Sequence, residues 1–277
     1  MLGVVIYHCH PRLTGTWLYY GSLWGWAGVN LFFVLSGFLI TCILLESREK
    51  PRYFRNFYAR RGLRIWPVYF LLLIVTYLNA PWFVGAPVLS AVRSAPWLIY
   101  LFYLQNVFHI TLPPPVGPTW SLAIEEQYYF LWAPLARFLR RPWMLATPLC
   151  LALVCSPLMR RAHYHWATPT HTLLHLDGIA MGSLIALGLY RLRLPRRAWL
   201  LLGLASLVAG VAAAGSIAGG TAYLDTALAV GFGGALLASV ASTSAGSAGK
   251  TGVRNPLNAA LGRGPLAFYG RISYGLY

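Results

Sequence analysis

Long apolar runs alternate along the chain with short polar stretches, most of them basic. A helix needs about 20 apolar residues to cross some 30 Å of hydrocarbon. The runs at 24–45, 65–80, 120–136, 143–159, 171–190, 198–217 and 222–241 therefore predict membrane-crossing helices. Residues 1–9 are too short for a crossing, and the pattern predicts the second half of a helix whose first half is absent. Residues 10–23 predict an aromatic loop containing Pro and Gly, and 96–110 a short apolar piece closed by Pro113-Pro114-Pro115. Residues 242–264 predict a polar Ser/Gly/Ala-rich linker, and Tyr274-Gly275-Leu276-Tyr277 a further helix that is cut off. No internal repeat is visible. The predicted fold is all-α, a polytopic transmembrane helix bundle forming a single domain over 1–277, with its first and last helices truncated.

Composition narrows the class. Hydrophobic residues make up 58% of the 277 and charged residues 10%, against roughly 25% charged in soluble proteins. Mean hydropathy is +0.59. The net charge of +16 does not point to nucleic acid, because the basic residues sit in short clusters between apolar runs, as in cytoplasmic loops. No basic patch interleaved with base-stacking aromatics lies outside those loops. The expected location is a cell membrane, multi-pass, with the lipid bilayer as partner and no nucleic acid. Cys9, Cys42, Cys150 and Cys155 lie in or beside apolar segments without metal spacing, and read as packing residues. The opening residues lack the basic start of a cleavable signal.

Topology follows from parity. Were 96–110 to cross fully, Arg137, Arg140, Arg141, Arg191, Arg193, Arg196, Arg197, Lys250, Arg254 and Arg263 would all lie outside, against the positive-inside rule. A re-entrant 96–110 moves all of them inside and leaves Arg160 and Arg161 on an outer loop. The loop 46–64, the densest basic run, then also faces the cytoplasm, and the helix opening at Trp120 starts at the outer face.

Candidate chemistry centres on Pro118-Thr119-Trp120-Ser121-Leu122-Ala123-Ile124-Glu125-Glu126-Gln127-Tyr128-Tyr129-Phe130. Glu125 and Glu126 are two of only six acids, placed at the mouth of an apolar helix, where an idle carboxylate is expensive. They lie about 100° apart, so one can face a cavity and the other a different neighbour; Ser121 shares the face of Glu125. Capping a helix start is the plain alternative. His8, at the outer end of the first apolar segment, is a candidate general base or an interfacial histidine. Arg60 and Arg64 share one helical face with Arg61 beside them; they suit the phosphates of a donor, or lipid phosphates and topology. Asn30, Ser36 and Gly37 soften an apolar helix and suit either function or close packing. His163, His165, His171, His175 and Asp177 invite a metal, with His171 and His175 four apart on a helical face, but no H-E-x-x-H motif accompanies them, and no metal is expected. Asp177, inside a span, is expected to meet an arginine or a histidine.

Taken together, these stretches resemble the membrane-bound acyltransferase family 3, the OafA-like O-acyltransferases. The resemblance rests on Gly28-Val29-Asn30-Leu31-Phe32-Phe33-Val34-Leu35-Ser36-Gly37-Phe38-Leu39-Ile40, on Phe57-Tyr58-Ala59-Arg60-Arg61-Gly62-Leu63-Arg64-Ile65-Trp66-Pro67, and on the central stretch from Pro118. Asp177-Gly178-Ile179-Ala180-Met181-Gly182 and Ile272-Ser273-Tyr274-Gly275-Leu276-Tyr277 follow in order. The resemblance implies about ten transmembrane helices and transfer of an acyl group, usually acetyl, from cytoplasmic acyl-CoA to a hydroxyl. The implied acceptors are envelope or exported glycans, lipid-linked carbohydrate or small molecules, with no permanently bound cofactor. His8 falls on the histidine of the family's Arg-x10-His pair, whose arginine would precede Met1; Asn30 replaces the family's usual acid, and His175 an arginine often found two residues before the aspartate.

These residues carry expected roles. His8 would be the catalytic base, with Glu125 or Glu126 orienting it or the acceptor. Arg60, Arg61 and Arg64 would hold the donor's phosphates, while Trp120, Ser121, Asn30 and Asp177 would line the substrate site. Two other classes fit parts of the pattern: a secondary transporter or flippase using the intramembrane Glu, Asp and His as a coupling relay, and an inactive truncated paralogue.

Overall fold

The computed structural model describes residues 26–83, 96–108, 116–162, 170–192, 194–216 and 221–243. Among these residues it contains eight α-helices: α1 (Ala27–Ser47), α2 (Tyr53–Phe83), α3 (Trp97–Leu101), α4 (Thr119–Phe138), α5 (Pro142–Ala162), α6 (Leu176–Arg191), α7 (Arg196–Ser216) and α8 (Leu224–Thr243). Two short 3-10 turns, Thr172–Leu174 and Thr221–Tyr223, precede α6 and α8. The polytopic all-α bundle is as expected. Helices α1, α5, α7 and α8 are each long and apolar enough to cross a membrane. Helix α4 carries two glutamates and α6 has only 16 residues, so both depend on shelter within the bundle.

The helices meet where small residues let backbones approach. A Cβ added to Gly37 of α1 would lie 2.0 Å from the Ile179 carbonyl oxygen of α6, and one added to Gly182 of α6 would lie 1.9 Å from that of Val34. Packing this close replaces the hydrophobic drive that lipid cannot supply between helices. Ser183 donates to the Gly37 carbonyl across the same seam, and Tyr128 of α4 shares a 2.7 Å hydrogen bond with Ser183. The main core, including Phe33, Leu44, Ile124, Tyr129, Trp132, Leu145 and Ile179, lies between α1, α4, α5 and α6.

Helices α2 and α4 run antiparallel. Tyr53 and Tyr58 near the start of α2 reach the Ala133 and Phe130 carbonyls of α4, whereas Tyr69, further along, packs near Ala123. Pro134 has no N–H, so the Phe130 carbonyl four residues earlier loses its helical partner. The Tyr58 hydroxyl supplies the missing donor at 3.2 Å.

The turns after α1, α4 and α6 gather at one end. Arg48 donates to the Ala136 and Leu139 carbonyls at 2.6 and 2.8 Å, Arg137 and Arg140 approach Glu49, and Arg191 reaches the Arg140 carbonyl. The far end holds the starts of α4, α6 and α8. Residues 100–106 contact the N-terminal half of α4 through Gln105–Thr119 and Gln127–Tyr103, so this segment lies toward the far end. With five residues, α3 is about 7.5 Å long, too short to cross.

Several expectations shift. Residues 53–64, read as part of a loop, are the first turns of α2, because Tyr53, Phe57 and Ile65 form a buried stripe against α4. His171 and His175 do not share a helical face: His171 opens the first 3-10 turn by accepting from the Leu173 N–H, and His175 immediately precedes α6. Cys150 and Cys155 lie exposed on α5 rather than packed, and Cys42 is half-buried. Residues 1–9 with His8, His163, His165 and the 244–277 segment fall outside the described residues.

Candidate active site

Two polar centres sit inside the bundle, one on α4 itself and one packed against its first turn through Trp120. The first joins α2 to α4. Glu125 and Glu126 lie six and seven residues past Thr119, about 9–10 Å into the helix rather than at its mouth. They share one neighbour. Arg61 spans both, with Nη2 3.7 Å from Glu125 Oε2 and Nε 3.3 Å from Glu126 Oε1. Its guanidinium lies 3.7 Å from the centre of the Tyr129 ring, so the cation is held by charge below and a π-face beside it.

Glu125 is 1% exposed, and neither of its oxygens has a hydrogen-bond partner among the described residues. The hydroxyls of Ser36 and Tyr129 face it. Glu126 also faces the indole of Trp66. Two carboxylates face one guanidinium, so the centre is balanced in charge only when it also carries one proton. A centre of this kind can take up a proton from an incoming hydroxyl, or hold a base that does.

The arginine cluster is divided. Arg60 is exposed and Arg64 is partly buried one turn on, while Arg61 faces inward. Ser121 is buried, and its hydroxyl donates to the Pro118 carbonyl at 3.2 Å.

The second centre ties α5, α6 and α8 together near α1 and Trp120. Arg160, 8% exposed, donates to Asp177 Oδ2 at 2.6 Å, to Thr226 Oγ1 at 2.7 Å, and to the Ala222 and Leu174 carbonyls. Thr226 in turn donates to Asp177, and the Gly178 N–H does so at 3.1 Å. The expected partner of Asp177 is thus an arginine. Asn30 donates to Asp225 Oδ1 at 2.9 Å, and the other oxygen of Asp225 lies 3.7 Å from His175 Nδ1. Where the resemblance implies an acid at position 30, α8 brings a carboxylate to meet the amide. The Trp120 ring packs 5.1 Å from that of His175 and 6.1 Å from that of Phe33. Trp120, Asn30 and Asp177 therefore converge, about five residues along α4 from the glutamates. Among the described residues, no three His, Cys, Asp or Glu side chains come together as metal ligands.

Arg160, Asp225, Gln127 and Asn106 were not singled out from the sequence. Gln127 donates to the Tyr103 carbonyl at 2.5 Å and to Asn106 Oδ1 at 2.9 Å, and accepts from Thr172. Its position directly after two glutamates, in a helix otherwise apolar, was the available signal.

The model of acyltransferase family 3, described as an acyltransferase domain, matches residues 1–277. The chain belongs to this family. It is a multi-pass membrane protein, and the family's members are acyltransferases. It is 34% identical over 167 residues to the peptidoglycan O-acetyltransferase OatA of Listeria monocytogenes, covering 56% of this chain and 25% of that protein. It is 30% identical over 179 residues to the O-acetyltransferase OatA of Staphylococcus aureus, covering 59% of this chain and 28% of that one. The chain thus spans about a quarter of the length of these relatives. No solved structure matches it.

Proposed function

We propose that this chain is the membrane-embedded part of an O-acyltransferase. It takes an acyl group, acetyl in the first instance, from acyl-CoA at the cytoplasmic face and delivers it to a hydroxyl of an envelope glycan. Peptidoglycan, named in the Listeria relative, is the first acceptor to test. The observation that carries this reading is the Arg61–Glu125–Glu126 centre, a charged cluster deep in an apolar bundle whose Glu125 oxygens are both open. Intramembrane charge of this kind marks function.

In the reaction, the acceptor oxygen bonds to the thioester carbonyl carbon and the C–S bond breaks. The hydroxyl proton passes to a base, and the leaving sulfur departs as the CoA thiol. His8 is proposed as that base, with Glu125 as the partner that orients it. Arg60 and Arg64 are proposed to hold the donor's phosphates, and Arg61, between them, to fix the two carboxylates. The Arg160–Asp177 and Asn30–Asp225 pairs are proposed to hold Trp120 and Ser121 at the acceptor side.

The test uses purified protein in detergent micelles, where transport across a membrane is impossible, with radiolabelled acetyl-CoA and peptidoglycan fragments. Glu125→Gln is expected to lower transfer by about 10²–10⁴-fold without lowering the melting temperature. Wild-type protein that consumes no acetyl-CoA with any glycan would sink the reading.

A further inference from the structure

The segment that enters beside α4 is firmly held yet carries buried polar atoms without partners. Gln127 donates to the Tyr103 carbonyl and to Asn106, and Asn106 donates to the Thr170 carbonyl at 3.1 Å and to Thr172 Oγ1 at 2.8 Å. On the other side Tyr69 of α2 donates to the Tyr100 carbonyl at 2.9 Å and stacks on the Tyr103 ring, with centres 4.4 Å apart. Tyr103 has φ 56°, a left-handed conformation that a tyrosine rarely adopts and that clusters at binding sites.

Against this rigid frame, the Tyr100 and Tyr103 hydroxyls and Gln105 Oε1 are buried without a hydrogen-bond partner among the described residues. The three side chains are 6%, 6% and 1% exposed. The orientation of the Gln105 amide is fixed by its neighbour. Thr119 gives its one proton to the Val116 carbonyl at 2.7 Å, so it can only accept from Gln105 Nε2 at 3.4 Å, and Oε1 is left facing away. Three such orphans on one short segment call for an occupant.

We propose that the buried seam between residues 100–106, Tyr69 and the N-terminal half of α4 is the subsite for the hydroxyl-bearing acceptor. The inference rests on the acyl-transfer reading above and assigns that reaction's second substrate a place. Gln105 Oε1 requires a donor, and the tyrosine hydroxyls accept either partner. Carbohydrate hydroxyls both donate and accept; phosphates and a thioester carbonyl only accept. Position agrees: the seam adjoins Thr119, at the end opposite the Arg48–Arg137–Arg140 cluster. Gln127 ties the seam to the helix that carries Glu126, so an acceptor lying there is one turn or less from the charged centre.

The test is calorimetric titration of the full chain in micelles with an N-acetylglucosamine pentasaccharide. Tyr100→Phe, Tyr103→Phe and Gln105→Leu keep the packing shape, and each is expected to weaken binding about three- to tenfold, as loss of a single hydrogen bond does. Tyr190→Phe, at the opposite end, is expected to leave it unchanged. Melting temperatures report whether each variant is folded. Saccharide binding that is absent, or as tight as wild type in all three variants, overturns the subsite and assigns the orphan atoms to water. Loss of acetyl-CoA affinity with saccharide affinity intact also overturns it, because the seam would then hold the donor. Variant-sensitive saccharide binding without any acetyl transfer sinks the proposed reaction and leaves the subsite standing.

Discussion

Replacing Arg160 by Met is the sharpest test of how this bundle is held at its α6 end. The guanidinium makes four hydrogen bonds, two to carboxylate and hydroxyl groups and two to the Leu174 and Ala222 carbonyls of the two 3-10 turns. Methionine fills the space and removes them all. Asp177, 1% exposed, would keep only the Thr226 hydroxyl and the Gly178 N–H against a full negative charge. Removing one member of a buried ion pair costs about 3–5 kcal/mol, which is roughly a 10²- to 5 × 10³-fold shift toward the unfolded state. Most of that cost is the stranded carboxylate, so Arg160→Met combined with Asp177→Asn should recover a large part of it. The assay is reversible unfolding in mixed micelles, completed as a double-mutant cycle. Arg161→Met, next in sequence and bonded only to the Tyr223 hydroxyl, should leave the midpoint in place. The reasoning fails if Arg160→Met is as mild as Arg161→Met, or if the double variant is no better than the single one.

Other outcomes follow from the same geometry. Gly182→Ala should cost about 1–3 kcal/mol or more, because its methyl would meet the Val34 backbone at 1.9 Å, while Gly188→Ala, facing only the tip of Trp199 at 3.2 Å, should cost less; melting midpoints decide. A cysteine at position 140 or 196 should resist impermeant thiol reagents in intact cells and react once the membrane is opened, and labelling from outside would overturn the assigned orientation. Arg64→Ala should weaken acetyl-CoA binding with lysine only a partial substitute, and an unchanged donor affinity would leave Arg64 a topology residue. His8→Gln should abolish transfer; near-normal turnover would move the base to Glu125 or Glu126.

Much of the fold was legible because membrane helices announce themselves by apolar length alone. The runs at 24–45, 120–136 and 143–159 reappear as α1, α4 and α5 with ends shifted by a few residues. The parity argument depended on nothing but arginine counts, and Arg48, Arg137, Arg140 and Arg191 do gather at one end. What hydropathy hides is an amphipathic start. Four arginines between 55 and 64 interrupt the apolar run, so the first three turns of α2 were read as loop.

The same misreading concealed the site's central contact, although its signal was present. Tyr53, Phe57, Arg61, Ile65 and Tyr69 recur every four residues, and on a helix that spacing sets successive side chains about 40° apart along one slowly winding face. Tyr53, Phe57, Ile65 and Tyr69 on that face are each at most 5% exposed. Arg61 is thus the one charged residue in a buried stripe, and in an apolar bundle it must find a carboxylate. With six acids in the chain and two of them adjacent on α4, the partner was nearly determined. Arg60 and Arg64 lie outside the stripe, which is why the three arginines do not present one face. The second centre could not be reached this way. Asn30 and Asp225 are 195 residues apart, and Arg160 sits at the end of α5 beside an equally basic Arg161. Only the crossing of α5, α6 and α8 selects the first of that pair, so Arg160 and Asp225 belong to tertiary structure in a way that Arg61 does not.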